Sequence, residues 1–295
     1  FATGGYGPEE SFIVPHGLPE VLLGIRRGEA NVDVRFHFET SCGSWAGFKL
    51  ARYLLEFTGQ AHYGDWIERL VYNGVGAMVP MNDYGMIMYG SNYSVFGARK
   101  MRSTVWFCCQ GSLLQNIGDY TNLIYFKDRS TLYVNLFVPS RVTWQGPEEQ
   151  VILEQHTRFP EDNRVRMRIA SRKASTFGLR FRVPEWTQGK IGVDINGEAA
   201  ECATEPGQWA TLERCWSPGD EVTLTFDLSV RSEPLPGYVS PVAILCGPVV
   251  MAQASVRSGS PGGVPCEGPL RYPVDWLDIS SEATINRNRQ LHHDQ

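Results

Sequence analysis

The stretch Leu132-Tyr133-Val134-Asn135-Leu136-Phe137-Val138 marks the point where the hydrophobic pattern of the chain changes its period. From this stretch onward, apolar residues recur at every second position, which is the spacing of a β-strand with one buried face. Before it, apolar residues recur at helical spacing, as Phe48, Ala51, Leu54 and Leu55 do. The sequence therefore predicts an α + β multidomain chain whose helical part comes first and whose β part begins near residue 126.

The β part consists of short runs of strand-forming residues separated by turn signals. Asn196-Gly197 is a hairpin dipeptide, and Pro218-Gly219-Asp220 is a second turn signal. The predicted strands are residues 132–138, 151–155, 164–170, 177–183, 191–195, 209–212, 222–226, 242–245 and 249–252. Strands at this spacing predict an antiparallel β-sandwich, similar to a jelly roll, over residues 126–255. Gly, Pro, Ser and charged residues dominate residues 256–295, which we expect to form an irregular C-terminal tail.

The helical part, residues 1–125, is predicted to contain three helices after a long loop. The first helix begins near Trp45 and ends at Thr58-Gly59, the second covers residues 63–75, and the third covers residues 112–122. A helical hairpin plus one further helix cannot enclose a hydrophobic core by itself. We therefore expect this part to close a larger α/α toroid whose earlier helices precede the sequence, which does not begin with Met.

Length and composition restrict the class of protein. With 295 residues, of which 42% are hydrophobic and 20% charged, the chain has the composition of a soluble two-domain protein. Its net charge is −5 and it has no basic run, so neither nucleic acid nor a membrane is an expected partner. Eight Trp and twelve Tyr suit a protein that stacks sugar rings on aromatic faces. Homo-oligomerisation stays open, and so does the compartment, because an export signal would precede residue 1.

Two cysteine motifs offer a set of metal ligands. Cys108-Cys109 and Glu39-Thr40-Ser41-Cys42 together supply three thiols and one carboxylate, and zinc binds such groups in tetrahedral sites. Gln110-Gly111-Ser112 is expected to turn the chain so that both adjacent cysteines face one metal, with Ser112 as the N-cap of the third helix. Cysteine is also a small apolar residue that is often buried, so a structural role for the pair stays open.

Other candidate residues carry weaker signals. Glu9-Glu10 lies in a Gly-rich loop, where a solvated acidic pair and a catalytic acid are both open interpretations. His16 and His37 are expected to be polar residues near a cleft. The chain has seven cysteines, and Cys202 and Cys215 would bridge a hairpin only in an oxidising compartment.

Several short motifs occur in the order found in one enzyme family. They are Thr3-Gly4-Gly5-Tyr6-Gly7, Glu9-Glu10-Ser11-Phe12, Glu39-Thr40-Ser41-Cys42, Ala51-Arg52-Tyr53-Leu54-Leu55, Glu68-Arg69-Leu70-Val71-Tyr72-Asn73, Cys108-Cys109, Ile124-Tyr125 and Gly247-Pro248-Val249-Val250. Over roughly residues 1–255 the chain resembles the β-L-arabinofuranosidase family, glycoside hydrolase family 127, and its close relatives. No single motif is specific for this family, but the ordered series is.

The resemblance implies a zinc-dependent, retaining exo-glycosidase with an (α/α)6 barrel followed by β-sandwich domains. The residues that match the family's zinc ligands are Glu39, Cys42, Cys108 and Cys109. Cys108 also matches the family's nucleophile, and Glu10 matches its general acid/base. Tyr89 and His37 are the expected substrate-binding residues. The implied substrate is a terminal β-L-arabinofuranose or a related sugar of a plant or pectic glycan.

The sequence departs from the family pattern at two places. One residue more than usual separates Glu39 from Cys42, so either a bulge keeps the carboxylate on the metal or Glu39 has turned away. Gln110-Gly111 also stands where prolines are common in the family. Glu39 is therefore the least secure of the predicted ligands.

Two other functions stay open. A conventional two-carboxylate glycosidase would pair Glu9 or Glu10 with Asp33 or Glu39 and would need no metal. A non-catalytic carbohydrate-binding or structural fragment of such an enzyme would keep the zinc site without turnover. A zinc-ribbon module would require a second Cys-x-x-Cys motif, which the sequence lacks.

Overall fold

A computed structural model of the chain describes most of the first 251 residues and a short piece beyond them. The described residues are 1–5, 7, 10–14, 17–27, 38–79, 82–94, 97–102, 105–106, 108–234, 242–251 and 282–284. The predicted site residue His37 lies outside the described residues, as do His16, Glu9 and Asp33.

Four α-helices form the first part of the structure. They are α1 Leu18–Arg27, α2 Ser41–Thr58, α3 His62–Arg69 and α4 Cys108–Asp119. The helix α3 continues as a π-helical segment, Leu70–Val75, so the predicted second helix is confirmed over its full length. The sequence pattern did not predict α1, because the prolines and glycines around it favoured a loop. Within the part of the chain that the structure describes, none of the helices combines the length and the apolar character that a bilayer crossing requires.

The ends of α2 follow local rules. Gly59 adopts a left-handed conformation with φ of 67°, and its N–H donates to Leu55 O at 2.8 Å, so α2 ends where it was predicted to end. At the other end Thr40 is the N-cap and its hydroxyl oxygen accepts from the N–H of Gly43 at 3.3 Å. The helix therefore starts four residues before Trp45, the predicted start.

The start of α4 differs from the prediction. The helix begins at Cys108 and not at Ser112, so the cysteine pair lies in its first turn. Ser112 is consequently buried inside the helix and does not cap it. Its hydroxyl oxygen instead lies 3.1 Å from Cys42 Sγ.

Sixteen β-strands are present in the described residues. They are β1 Met88–Ser94, β2 Gly97–Arg102, β3 Tyr125–Lys127, β4 Thr131–Val134, β5 Ser140–Gln145, β6 Gln150–Thr157, β7 Arg164–Ala170, β8 Ser175–Arg182, β9 Ile191–Ile195, β10 Glu198–Ala199, β11 Trp209–Trp216, β12 Glu221–Phe226, β13 Val230–Pro234, β14 Val242–Cys246, β15 Val249–Val250 and β16 Glu282–Thr284. The last strand gives regular structure to three residues of the segment that was expected to be irregular. Cys202 and Cys215 are free thiols, so the disulfide considered above is not formed.

The strands form one hairpin and three larger sheets. β1 pairs with β2, and β13-β14-β15 form a three-stranded sheet. A seven-stranded sheet has the order β10-β9-β12-β7-β6-β5-β16, and a four-stranded sheet has the order β11-β8-β4-β3. Pairing is antiparallel as predicted, apart from two parallel pairs, β4 with β8 and β16 with β5. The pair of β4 with β8 is parallel because the chain leaves the four-stranded sheet after β4, forms β5, β6 and β7 in the larger sheet, and then returns.

The four-stranded and seven-stranded sheets share one hydrophobic core. Trp144 of β5 and Phe177 of β8 pack edge to face with ring centroids 5.4 Å apart, and Trp216 of β11 lies beside Phe177 at 5.9 Å. Strands β7 and β12 alternate buried and more exposed residues, as the period of two predicts. A fully buried side chain of this size contributes about 1.5–3 kcal/mol, so this core is the main source of stability in the β part.

A buried ionic cluster joins the helices to the β part. The guanidinium of Arg182, at the end of β8, is fully buried and pairs with Asp65 and with Glu68 of α3. Glu68 also accepts from the indole N–H of Trp186 at 2.9 Å. A Cβ at Gly64 would lie 2.5 Å from Arg182 Cδ, so glycine is needed where the arginine passes α3. This cluster fixes α3, and through it α2, on the β part.

Candidate active site

The site is built where the first turns of α2 and α4 lie side by side. The hydroxyl of Ser41 donates to the carbonyl oxygen of Cys109, and the amide of Asn116 donates to Ser41 O at 3.1 Å. All three of these groups are buried. These contacts bring Cys42, in the first turn of α2, against Cys108 and Cys109 of α4.

The three thiols form one cluster. Cys42 Sγ lies 3.3 Å from Cys108 Sγ and 3.5 Å from Cys109 Sγ, and all three sulfurs lie within 4.8 Å of one another. A zinc ion with sulfur ligands at about 2.3 Å in a tetrahedron separates its sulfurs by roughly 3.8 Å. The observed spacing therefore fits one zinc ion with only small side-chain adjustments.

Burial opposes charge on two of the thiols. Desolvation raises the pKa of Cys42 strongly, the neighbouring Cys108 and Cys109 add to this, and only the hydrogen bond with Ser112 acts in the other direction. Burial likewise raises the pKa of Cys109. A half-buried thiol and a buried thiol whose pKa values are both raised stay protonated in the absence of a compensating cation. A divalent metal ion would supply that compensation, because a coordinating thiol is deprotonated outright.

Glu39 directly precedes Thr40, the N-cap of α2, and is not a member of the thiol cluster. Its carboxylate is buried and accepts from the hydroxyl of Thr3 and from the hydroxyl of Ser91 at 2.5 Å. The backbone of Glu39 has φ of +54°, a conformation that costs a non-glycine residue free energy. A Cβ at Gly5 would lie 2.9 Å from Glu39 Cβ and Cγ, so the loop of residues 1–5 packs directly on this side chain.

Glu10 and Tyr89 lie around the same cluster. The hydroxyl of Thr40 donates to Glu10 Oε1 at 2.9 Å, and Glu10, like Glu39, has a positive φ, here 58°. Burial raises the pKa of Tyr89 to about 12, with smaller contributions from Cys109, Glu10 and the other two thiols. Tyr89 is therefore a protonated hydroxyl within electrostatic reach of the thiols and of Glu10.

Comparison with known proteins identifies the family. Residues 1–122 match the sequence model described as "Beta-L-arabinofuranosidase, GH127 catalytic domain", and residues 131–228 match "Beta-L-arabinofuranosidase, GH127 middle domain". The chain belongs to glycoside hydrolase family 127. The resemblance seen in the ordered motifs is thereby confirmed.

Relatives within glycoside hydrolase family 127 match large parts of the chain. A non-reducing end β-L-arabinofuranosidase of Bifidobacterium longum is 23% identical over 306 residues, which cover 94% of this chain and 40% of the relative. The crystal structure of a family 127 β-L-arabinofuranosidase from Geobacillus stearothermophilus T6 is 27% identical, with a TM-score of 0.61, and covers 73% of this chain and 36% of that one. The structure of a family 127 β-arabinofuranosidase, 24% identical with a TM-score of 0.65, covers 85% of this chain and 40% of that one and shows the shared fold. The chain thus spans about 40% of the length of the curated relative it matches.

The structure brings together most of the residues that the family pattern suggested. The three predicted thiol ligands converge, and Glu10 and Tyr89 lie near them. The carboxylate of Glu39 is engaged by two hydroxyl groups and is not part of the thiol cluster, so its role as a zinc ligand stays a prediction.

Sequence reasoning missed two hydroxyl residues of the candidate site. Thr40 contacts Glu10 and Ser112 contacts Cys42. The N-cap preference for Thr was a usable signal for Thr40, since it places this residue at the start of α2. The contact of Ser112 with Cys42 joins residues 70 positions apart and has no sequence signal.

Proposed function

We propose that the protein is a zinc-dependent, retaining exo-glycosidase that releases a terminal L-arabinofuranose-like sugar from a plant-type glycan through a cysteine thioglycosyl intermediate. The observation that carries the proposal is the convergence of three thiols, with Glu10 and Tyr89 beside them, in a chain of glycoside hydrolase family 127. In the whole enzyme the described helices would form the closing part of an (α/α)6 toroid, followed by the jelly-roll-like sandwich.

The zinc ion would be held by Cys42, Cys108 and Cys109, with Glu39 as the fourth ligand. When bound, the ion supplies the positive charge that keeps the thiols deprotonated near neutral pH. The raised pKa values of Cys42 and Cys109 support this role, since burial otherwise favours their neutral forms. To serve as the fourth ligand, Glu39 would exchange one of its two hydroxyl contacts for the ion.

Solvent access favours Cys108 as the nucleophile among the three thiols. Cys108 is exposed, Cys109 is fully buried, and Cys42 is half-buried and contacts Ser112. A sugar can therefore approach the sulfur of Cys108 most directly. The other two thiols would act as ligands only.

The reaction would proceed in two displacements. The Cys108 sulfur attacks the anomeric carbon, a C–S bond forms, the glycosidic C–O bond breaks, and Glu10 donates its proton to the leaving oxygen. In the second step Glu10 takes a proton from water, and that water attacks the anomeric carbon and releases the Cys108 sulfur. Two inversions at one carbon retain the configuration. Tyr89 would donate a hydrogen bond to the sugar throughout, since its phenol stays protonated.

The test is hydrolysis of a panel of aryl furanosides by the zinc-loaded protein and two variants. Cys108→Ser is expected to lower kcat by more than about a thousandfold, because a serine hydroxyl is a far weaker nucleophile than a metal-bound thiolate. Cys215→Ser is the matched control, since Cys215 is an exposed free thiol in β11 of the sandwich. Undiminished turnover by Cys108→Ser would remove the cysteine mechanism and favour a two-carboxylate glycosidase. An absence of turnover on every furanoside would favour a non-catalytic fragment.

A further inference from the structure

Trp106 is an exposed tryptophan two residues before the proposed nucleophile. Its side chain is 61% exposed, whereas the other tryptophans that the structure describes are buried or half-buried. They are Trp45, Trp66, Trp144, Trp186, Trp209 and Trp216. Two residues of extended chain span at most about 7 Å between Cα atoms, so the backbone of Trp106 lies within that distance of the residue that carries the exposed Cys108 thiol.

The indole is held in place and is not a loose surface side chain. Its N–H donates to Tyr84 O at 3.4 Å, and the ring packs on the backbone of Gly85, where an added Cβ would lie 3.4–3.7 Å from three ring atoms. Gly85 has φ of 75°, which favours glycine at this position. The amide of Gln110 donates to Val105 O at 3.3 Å and fixes the backbone just before the tryptophan.

The fold alone does not explain an indole that is anchored and yet exposed. Leaving such a ring in water forfeits the free energy that burial of its apolar surface would supply. The polar N–H is already used within the protein, so the remaining surface can offer a ligand only its apolar face and edge. The C–H face of a sugar ring is the chemistry that stacks on such a surface. Tyr84, whose carbonyl oxygen accepts the indole N–H, is itself 81% exposed and offers a second aromatic ring.

We propose that Trp106, together with Tyr84, is a stacking platform for a sugar ring of the glycan whose anomeric carbon reaches Cys108. The inference rests on the proposed function for the choice of a sugar as the ligand. The ring on the platform is either the terminal furanose or the sugar of the leaving group, and the two share the same C–H stacking chemistry. Trp106 would thus add a binding surface to a site otherwise made of thiol, carboxyl and hydroxyl groups.

The first experiment measures binding without turnover. In a Cys108→Ser background, an arabinofuranosyl disaccharide is titrated calorimetrically into the protein carrying Trp106, Trp106→Phe or Trp106→Ala. We expect Trp106→Ala to weaken binding about tenfold and Trp106→Phe to weaken it less, since a tenfold change corresponds to about 1.4 kcal/mol. Phe57→Ala is the matched control, because Phe57 is 66% exposed on α2 and is outside the site. Equal affinities for the Trp106 and Trp106→Ala proteins would overturn the platform.

The second experiment locates the sugar ring by kcat/KM. The substrates are the arabinofuranosyl disaccharide and a methyl arabinofuranoside, which has no leaving-group sugar. If the platform holds the leaving-group sugar, Trp106→Ala lowers kcat/KM for the disaccharide and leaves kcat/KM for the methyl arabinofuranoside unchanged. If it holds the terminal furanose, both substrates are affected equally. An unchanged kcat/KM for both substrates in an active enzyme contradicts the platform while leaving the proposed function intact. If the protein with Cys108 intact hydrolyses no substrate, the proposed function is contradicted. If Trp106→Ala nevertheless weakens disaccharide binding, the platform is supported.

Discussion

The hydroxyl of Thr40 serves both the start of α2 and the carboxylate of Glu10. Its oxygen accepts from the N–H of Gly43 at 3.3 Å and donates its own proton to Glu10 Oε1 at 2.9 Å. One buried hydroxyl thereby ties the position of the proposed acid/base to the helix that carries Cys42. The orientation of Glu10 depends on the cap of α2.

Replacement of Thr40 separates these two tasks. Thr40→Val loses both hydrogen bonds, so we expect kcat to fall about tenfold to a hundredfold with little change in KM, and stability to fall by about 1 kcal/mol. Thr40→Asp keeps a capping oxygen but cannot donate to Glu10 when ionised, so it should retain most stability and still lose kcat. Thr40→Ser keeps both bonds and should behave like the original protein. A Thr40→Val variant with unchanged kcat would show that the contact does not orient Glu10.

Cys42 is the sulfur that contacts both other thiols of the cluster. We expect Cys42→Ala to lose bound zinc and activity together, since removal of a central ligand costs both affinity and the charge that holds the thiolates. The measurement is the zinc content of the purified protein by mass spectrometry of the element, with furanoside hydrolysis measured in parallel. Cys202→Ala, a half-buried free thiol in the β part, is the control and should keep its zinc. Full activity in a metal-free preparation of Cys42→Ala would rule out the zinc mechanism.

The close contact of Gly5 with Glu39 allows the fourth-ligand assignment to be tested. A methyl group at residue 5 would lie 2.9 Å from Glu39 Cβ, so Gly5→Ala should displace Glu39 and destabilise the fold by about 1–3 kcal/mol. If Glu39 binds the metal, zinc affinity measured by competition with a chromophoric chelator should fall as well. Gly118→Ala is the control, because a Cβ there meets nothing within 4 Å, and in α4 it should stabilise by up to about 1 kcal/mol. Unchanged zinc affinity in a destabilised Gly5→Ala protein would remove Glu39 from the ligand set.

The buried cluster of Arg182, Asp65 and Glu68 predicts a pH-dependent stability. Burial raises the pKa of Asp65 to about 7, against the lowering effect of Arg182, and Glu68 adds to the rise. The cluster of one arginine and two carboxyl groups has no net charge when one carboxyl group is protonated. Asp65 Oδ2 is buried without a hydrogen-bond partner among the residues that the structure describes. Asp65 is therefore the group that holds the proton.

The raised pKa of Asp65 determines whether stability rises or falls with pH. Because the pKa of Asp65 is higher in the folded than in the unfolded state, the stabilising contribution of its proton is fully present below about pH 4 and is lost as the pH rises through about 7. We expect the free energy of unfolding by urea to fall by about 2–3 kcal/mol between pH 5 and pH 8 through this group. Asp65→Asn should flatten the dependence, whereas Asp162→Asn, at an exposed position, should keep it. If the free energy of unfolding of Asp65→Asn falls with pH as steeply as that of the original protein, the pH dependence belongs to another group.

Local signals in the sequence were sufficient for several features of the fold. The end of α2 follows from Gly59, which tolerates a positive φ, and the hairpin between β9 and β10 follows from Asn196-Gly197, whose φ values are 55° and 84°. These signals act through backbone conformations of one or two residues, so no distant contact is needed to interpret them. The family assignment likewise followed from the order of short motifs.

Contacts between distant residues were decided only by the tertiary structure. The bonds of Thr3 with Glu39 and of Arg182 with Asp65 join residues 36 and 117 positions apart. The parallel pairing of β4 with β8 depends on the route of the chain between two sheets. The sequence supplied the thiols and carboxyl groups of the site, but their mutual distances and hydrogen bonds depend on how α2 and α4 pack. Side-chain packing of this kind has no local pattern in the chain, because each contact is selected by the shape and polarity of residues that the sequence places far away.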